Sequence, residues 1–170
     1  MAAAKDESEV AHPRLDAPVW LRPCTPADIP FLLELYGTTR ADELALMPWS
    51  AEDKDAFVRM QFDAQERDYR AKFPVADRSV VLVGDEPVGR LYVDRRLEEI
   101  LGVDLSLLPR WRGHGIGTAL ITDLLDEAAR TARPFRLHVQ LGNPARRLYV
   151  RLGIRSVSNS GAYELMEYRP

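Results

Sequence analysis

The residues best placed to do chemistry lie together in Leu107-Leu108-Pro109-Arg110-Trp111-Arg112-Gly113-His114-Gly115-Ile116-Gly117-Thr118-Ala119-Leu120. An apolar strand pattern ends at Pro109, three glycines follow, and an amphipathic helix pattern begins at Ile116. Glycines let the main chain approach a ligand closely and take dihedrals closed to other residues. The first helical turn carries N–H groups with no partner inside the helix, and the macrodipole adds partial positive charge there. Together these features describe an anion site, most naturally for a phosphate. Arg112 adds a positive charge and Thr118 a hydroxyl.

Several phosphate ligands compete for such a loop. A P-loop ends in Gly-Lys-Ser/Thr, and Gly117-Thr118 lacks the lysine. A dinucleotide fingerprint counted from Gly113 needs a glycine where Thr118 stands, and it belongs near the first strand of its unit, not past mid-chain. A glycine loop serving only a sharp turn is the remaining alternative.

The elements around this segment follow from periodicity. Thr25-Pro26-Ala27-Asp28 opens a helix, with Thr as cap, Pro in the first position and an acid in the third. Ile29, Leu32, Leu33 and Tyr36 continue it at helical spacing, and Gly37 is expected to end it. Ser50-Ala51-Glu52-Asp53 caps a second helix with Val58, Phe62, Gln65 and Tyr69 on one stripe, closed by Pro74. Strands are expected at 19–22, 79–83, 88–94, 99–107, 135–139, 155–158 and 162–168. A strong amphipathic helix covers 116–131, and Asn143-Pro144 starts a short one ending at Gly153. The order predicts an α/β domain over 19–170, with a mixed sheet and helices on both faces, preceded by a disordered leader at 1–18.

Composition narrows the partners. The 170 residues suit one domain, and no apolar run approaches the roughly 20 residues that span a bilayer. The opening MAAAKDESEV has acids where a signal peptide carries bases, so a cytoplasmic protein is expected. The single Cys24 excludes an internal disulfide and a cysteine-based zinc site, and nothing else suggests a metal. The net charge of −3 hides an uneven distribution: residues 110–155 hold nine arginines against Asp123, Asp126 and Glu127. A short basic segment in an acidic chain suits a compact anion, not a nucleic-acid track or a membrane.

Two motifs together resemble those of the GNAT N-acetyltransferases. Arg112-x-x-Gly115-x-Gly117 matches the acyl-CoA motif R/Q-x-x-G-x-G/A, with similar flanks on both sides. Asn143-Pro144-Ala145-Arg146-Arg147-Leu148-Tyr149-Val150-Arg151-Leu152-Gly153 resembles N-x-x-A-x-x-L-Y-x-x-L-G-F, with alanine one place early and Ile154 for the final Phe. The resemblance spans about 19–168. It implies one GNAT-like domain, a central mixed sheet of about six to seven strands flanked by about four helices.

It also implies acetyl transfer from acetyl-CoA to a primary amine of a small molecule or peptide, in a ternary complex. A non-catalytic acyl-CoA-binding regulatory module is the alternative. By resemblance, the main chain of Arg112, Gly113, His114, Gly115, Ile116, Gly117 and Thr118 holds the pyrophosphate. Leu107, Leu108 and Asn143 meet pantetheine, with Arg146 near the cofactor. Tyr149 matches a tyrosine that protonates the departing thiolate; its other reading is a core aromatic. Homodimers are common in the family.

The acceptor must lose a proton before it attacks. For an alkylamine with a pKa of about 10.4 this costs roughly 4.6 kcal/mol at pH 7. Glu99, at the start of the strand leading to the glycine loop, is the first candidate base, where some family members carry a glutamate; Glu98, Asp104 and water compete. Residues 27–77 carry eleven acids against six bases, which suits a cationic acceptor or simply a solvated helix face. Trp49, Phe62 and Tyr69 either line its pocket or pack.

Overall fold

A computed structural model of the chain describes residues 8–10 and 17–170. In chain order the elements are β1 (Ser8–Val10), β2 (Val19–Pro23), α1 (Ile29–Ala45), α2 (Ala51–Lys72), β3 (Asp77–Val83), β4 (Glu86–Arg95) and β5 (Ile100–Leu107). Then follow α3 (Ile116–Thr131), β6 (Phe135–Gln140), α4 (Arg146–Arg151), β7 (Arg155–Ser160) and β8 (Tyr163–Tyr168). The eight strands form one sheet in the order β1-β2-β3-β4-β5-β6-β8-β7, one more strand than the upper expectation. The extra strand is β1, which pairs antiparallel with β2 and buries Val10 in the core. That corrects the disordered leader for Ser8–Val10. The sequence there offers one apolar side chain among acids, too little for a periodic signal. The rest of the expected leader before Ala17 lies outside the described residues.

β4 runs through the middle of the sheet and is buried from Val88 to Asp94. Alternation sends Leu91 and Val93 to one face and Arg90 and Tyr92 to the other. The first face packs against Ile116, Leu120, Ile121, Leu124 and Ala128 of α3 and Tyr149 of α4, together with Phe135, Leu137 and Val139 of β6. The second meets α1 and α2, whose own contact is built on Leu32, Tyr36 and Phe62. Gly89 lies so close to β5 that a methyl group there would press into the Ser106 carbonyl oxygen and the Leu107 side chain.

The first helix differs from expectation. It runs through Gly37 to Ala45. A glycine inside a helix costs about 1 kcal/mol relative to alanine. Here a Cβ would stand 3.6 Å from Val58 Cγ1 of α2, so the position falls at the α1–α2 contact, and packing overrides the local stop signal. The start is as expected. Asp28 Oδ2 accepts from the Thr25 amide (2.7 Å) and hydroxyl (2.8 Å), and Arg22 grips both oxygens at 2.6 and 3.1 Å. α2 begins with Ser50 accepting from the Asp53 amide. Cys24 is half-buried against the α1–α2 cluster, and burial pushes its thiol up to about 11.

The Asp28 contacts carry a pH signature. The Arg22 guanidinium, and after it the Thr25 donors, hold the Asp28 carboxyl down at about 2, below its ordinary 3.8. A depressed carboxyl stabilises the fold above the unfolded value and loses that contribution as pH falls through the folded one. Asp28→Asn is therefore expected to lower the urea midpoint between pH 5 and 7. The gap to the parent should close as pH drops from about 4 to about 2. A gap constant across that window would exclude the ion pair as its source.

Candidate active site

Among the described strands, β5 and β6 are the one parallel pair, and they separate early. Ile100, Leu101 and Gly102 pair with Phe135, Arg136 and Leu137; beyond these, β5 continues with β4 only and β6 with β8 only. The ladder between β4 and β5 also slips: Tyr92 faces Asp104 and Val93 faces Gly102, which leaves Val103 as an extra residue. Such a bulge bends and twists its strand. The result is a gap in the middle of the sheet. It holds a cavity of about 40 Å³ whose lining includes Gly102, Val103, Asp104, Leu105, His138 and Tyr149.

The glycine loop stands at the C-terminal end of β5, at the mouth of this gap. Leu108 is buried, its amide donates to Val88 O and its carbonyl accepts from the Trp111 amide. Arg112 folds back over the strand end, Nε donating to Leu107 O at 2.9 Å. Gly113 and Gly115 take φ of 78° and 91°, the left-handed region that turns the chain into α3. His114 is exposed and its Nδ1 lies 3.0 Å from Arg112 O. The first bond of the helix runs from the Ala119 amide to Gly115 O. The amides of Ile116, Gly117 and Thr118 thus precede the helix's own ladder. The Ile116 side chain goes entirely into the core, so this residue offers a ligand only its main chain.

On the far side of the gap, α4 presents Tyr149. Its ring is largely buried, and burial together with the nearby Asp104 pushes the phenol up to about 12. Asn143 serves its own turn, Oδ1 accepting from the Ala145 amide at 2.9 Å. Arg146 spends its charge on Glu164 through two bonds of 2.6 and 3.1 Å.

The expected base is placed elsewhere. Glu99 lies in the β4–β5 turn, at the opposite end of β5 from the glycine loop, held by Arg96 (2.8 Å) and Arg136 (2.9 Å). It does not line the gap. Two other groups do. Asp104 accepts from Tyr69 (2.9 Å) and Arg90 (2.8 Å) on Oδ2 and from Ser106 (2.8 Å) on Oδ1, so both oxygens are engaged. His138, which the sequence reading did not single out, stands opposite the buried Phe135, Leu137 and Val139 on β6 and opens into the cavity. Strand alternation carried that signal; the gap that makes it matter did not show.

Beneath Asp104 lies a buried polar cluster. Arg90 is 1% exposed and also donates to Gln65 of α2 at 2.6 Å, while Glu66 pairs with Arg78. Of the aromatic residues considered for an acceptor wall, Tyr69 joins the site through Asp104. Phe62 packs in the α1–α2 core, and Trp49 stacks edge-on against Phe57.

Comparison with known proteins identifies the family and the fold. The family model described as the acetyltransferase (GNAT) family matches residues 38–154. No curated protein matches the chain. Among solved structures, PaiA N-acetyltransferase from Thermoplasma acidophilum in complex with coenzyme A superposes with a TM-score of 0.67 at 15% identity, over 89% of this chain and 99% of that one. An acetyltransferase from Thermus thermophilus gives 0.64 at 22% identity, over 89% and 97%. Mycobacterium smegmatis RimJ in complex with CoA-disulfide gives 0.63 at 19%, over 96% and 86%.

Proposed function

The chain belongs to the GNAT acetyltransferase family, and from that premise we propose that it moves an acetyl group from acetyl-CoA to a primary amine of a small molecule or peptide. One observation carries the reading. Unpaired amides at the start of α3 open onto a gap between two splayed strands, and a buried phenol and an imidazole meet in that gap. The cradle suits a diphosphate and the gap suits a narrow, extended arm. The thioester supplies the activated acetyl group.

The residues then divide the work. The amides of Ile116, Gly117 and Thr118 fix the diphosphate, so the acyl end reaches into the gap. His138 takes the proton of the attacking amine, directly or through one water, in place of the expected Glu99. The nitrogen–carbon bond forms and the carbon–sulfur bond breaks. Tyr149 gives its phenolic proton to the departing sulfur and recovers one from solvent. Asp104 supplies a carboxylate beside the acceptor nitrogen, with Tyr69, Arg90 and Ser106 fixing its orientation. The acid-rich α1–α2 region, eleven acids against six bases over 27–77, favours a cationic acceptor.

The test is release of free CoA from acetyl-CoA in the presence of a panel of small amines, with a parallel panel of lysine-containing peptides. Turnover with at least one amine, absent without it, is expected. Tight acetyl-CoA binding with no turnover across both panels would favour the non-catalytic binding module instead.

A further inference from the structure

Gln65 and Tyr69 stand one turn apart on α2, where i and i+4 share a face, and Glu66 adjoins them. This face meets the sheet through polar side chains: Gln65 accepts from Arg90, Tyr69 donates to Asp104, and Glu66 lies between Arg78 and Arg90. Glu66 is 7% exposed and Arg90 1%, so water screens their charges little. Glu66 pairs with Arg78 through Oε2, while its Oε1 stands 3.6 Å from Arg90 Nη1. That second approach is too long for a hydrogen bond, and Arg90 Nη1 and Nε have no acceptor among the described residues. Arg90 instead gives Nη2 to Asp104 Oδ2 at 2.8 Å. In order of contact the charges therefore alternate: Arg78, Glu66, Arg90, Asp104. Two guanidinium groups face two carboxylates, and the set is neutral. Arg70 also comes within 4.0 Å of Glu66, but its side chain is exposed and solvent weakens the pair.

We infer that Glu66 is a positioning residue that acts through Arg90, setting the charge Asp104 presents to the acceptor and so selecting cationic amines. The inference rests on the proposed acetyl transfer, with Asp104 beside the acceptor nitrogen, and adds a source of selectivity to it. With Glu66 in place, Arg90 answers two carboxylates, and Asp104 keeps negative charge to offer an ammonium group. Without it, Arg90 answers Asp104 alone. The set then carries an excess positive charge and repels the acceptor. Loss of Arg78 does the reverse: the set carries an excess negative charge and holds the acceptor more tightly. Buried surroundings of low dielectric make one such charge felt across an intervening side chain.

Steady-state kinetics with the cationic amine that the parent turns over fastest tests this, using the parent, Glu66→Gln, Arg78→Met and the double variant, with a urea midpoint for each. Both single variants break a buried pair and should lower the midpoint. Their KM values for the amine should nevertheless move in opposite directions. Glu66→Gln is expected to raise KM by about tenfold and Arg78→Met to lower it by a few fold, the order of one unit charge in a part-buried site. The double variant restores neutrality, and its KM should return to within about twofold of the parent. In all of them kcat and the KM for acetyl-CoA should change little. A residue that only held α2 in place would shift the amine KM the same way in both single variants. If Glu66→Gln does not fold, the step from Arg78→Met to the double variant tests the same sign. Amine KM values that move together, or that stay at the parent's, overturn the role of Glu66 and leave acetyl transfer standing. A parent that turns over no amine overturns both.

Discussion

Replacing Tyr149 with phenylalanine is expected to lower kcat by about a hundredfold or more, the range by which general acids contribute. The affinity for acetyl-CoA should change little. The ring packs in the core with Ile121, Leu124 and Leu137, and phenylalanine keeps that packing while removing the one polar atom. Unfolding midpoints should therefore match, which separates a chemical role from a structural one. The pH profile adds a second check. A phenol pushed up to about 12 by burial and by Asp104 remains protonated through the neutral range. It holds a proton to give at every working pH, and loss of activity between pH 8 and 10 should not be its signature. A Tyr149→Phe enzyme with unaltered kcat would remove this residue from the chemistry and leave it as a core aromatic. His138→Gln provides the complementary reading: loss of a base should lower kcat while acetyl-CoA affinity changes little.

How much of this was legible beforehand depended on whether the signal was local. The strand–glycine–helix passage at Leu107–Leu120 was local, and α3 occupies Ile116–Thr131 as its periodicity required. The strands at 79–83 and 88–94 and the helix starts at Thr25 and Ser50 were local too. Gly37 misled because a helix stop is a local preference of about 1 kcal/mol, easily exceeded by the packing of α1 on α2. The surroundings of Glu99 were hidden for a different reason. Membership of a strand says nothing about which end faces the ligand, and its captor Arg136 lies 37 residues away. His138 depended on β5 and β6 parting after three paired residues and on the slip at Val103. Neither has a sequence pattern of its own, because each is a property of two strands brought together by the chain between them.

The same distinction separates the glycines of the cradle, and it predicts unequal effects from substitutions that look alike. Gly115 caps α3 with φ of 91°, where a side chain is strained whatever room surrounds it. Gly117 is a helical residue, and a methyl group there would sit 3.5 Å from Leu148 Cδ2, an ordinary contact. Gly115→Val is therefore expected to rotate the amides of the first turn away from their common focus. Each bond from an amide to a phosphate oxygen contributes about 1.5–3 kcal/mol, so losing two should weaken CoA by roughly a hundredfold to ten-thousandfold. Gly117→Ala should cost no more than a few fold, with stability equal or slightly raised because alanine is the better helix former. The motif R/Q-x-x-G-x-G/A, which accepts alanine at the second of these positions and not at the first, follows from this difference in backbone. Titration of both variants with CoA, alongside their urea midpoints, decides the matter. If Gly115→Val bound CoA like the parent, the helix-start amides would not be what grips the diphosphate, whatever the likeness of the fold.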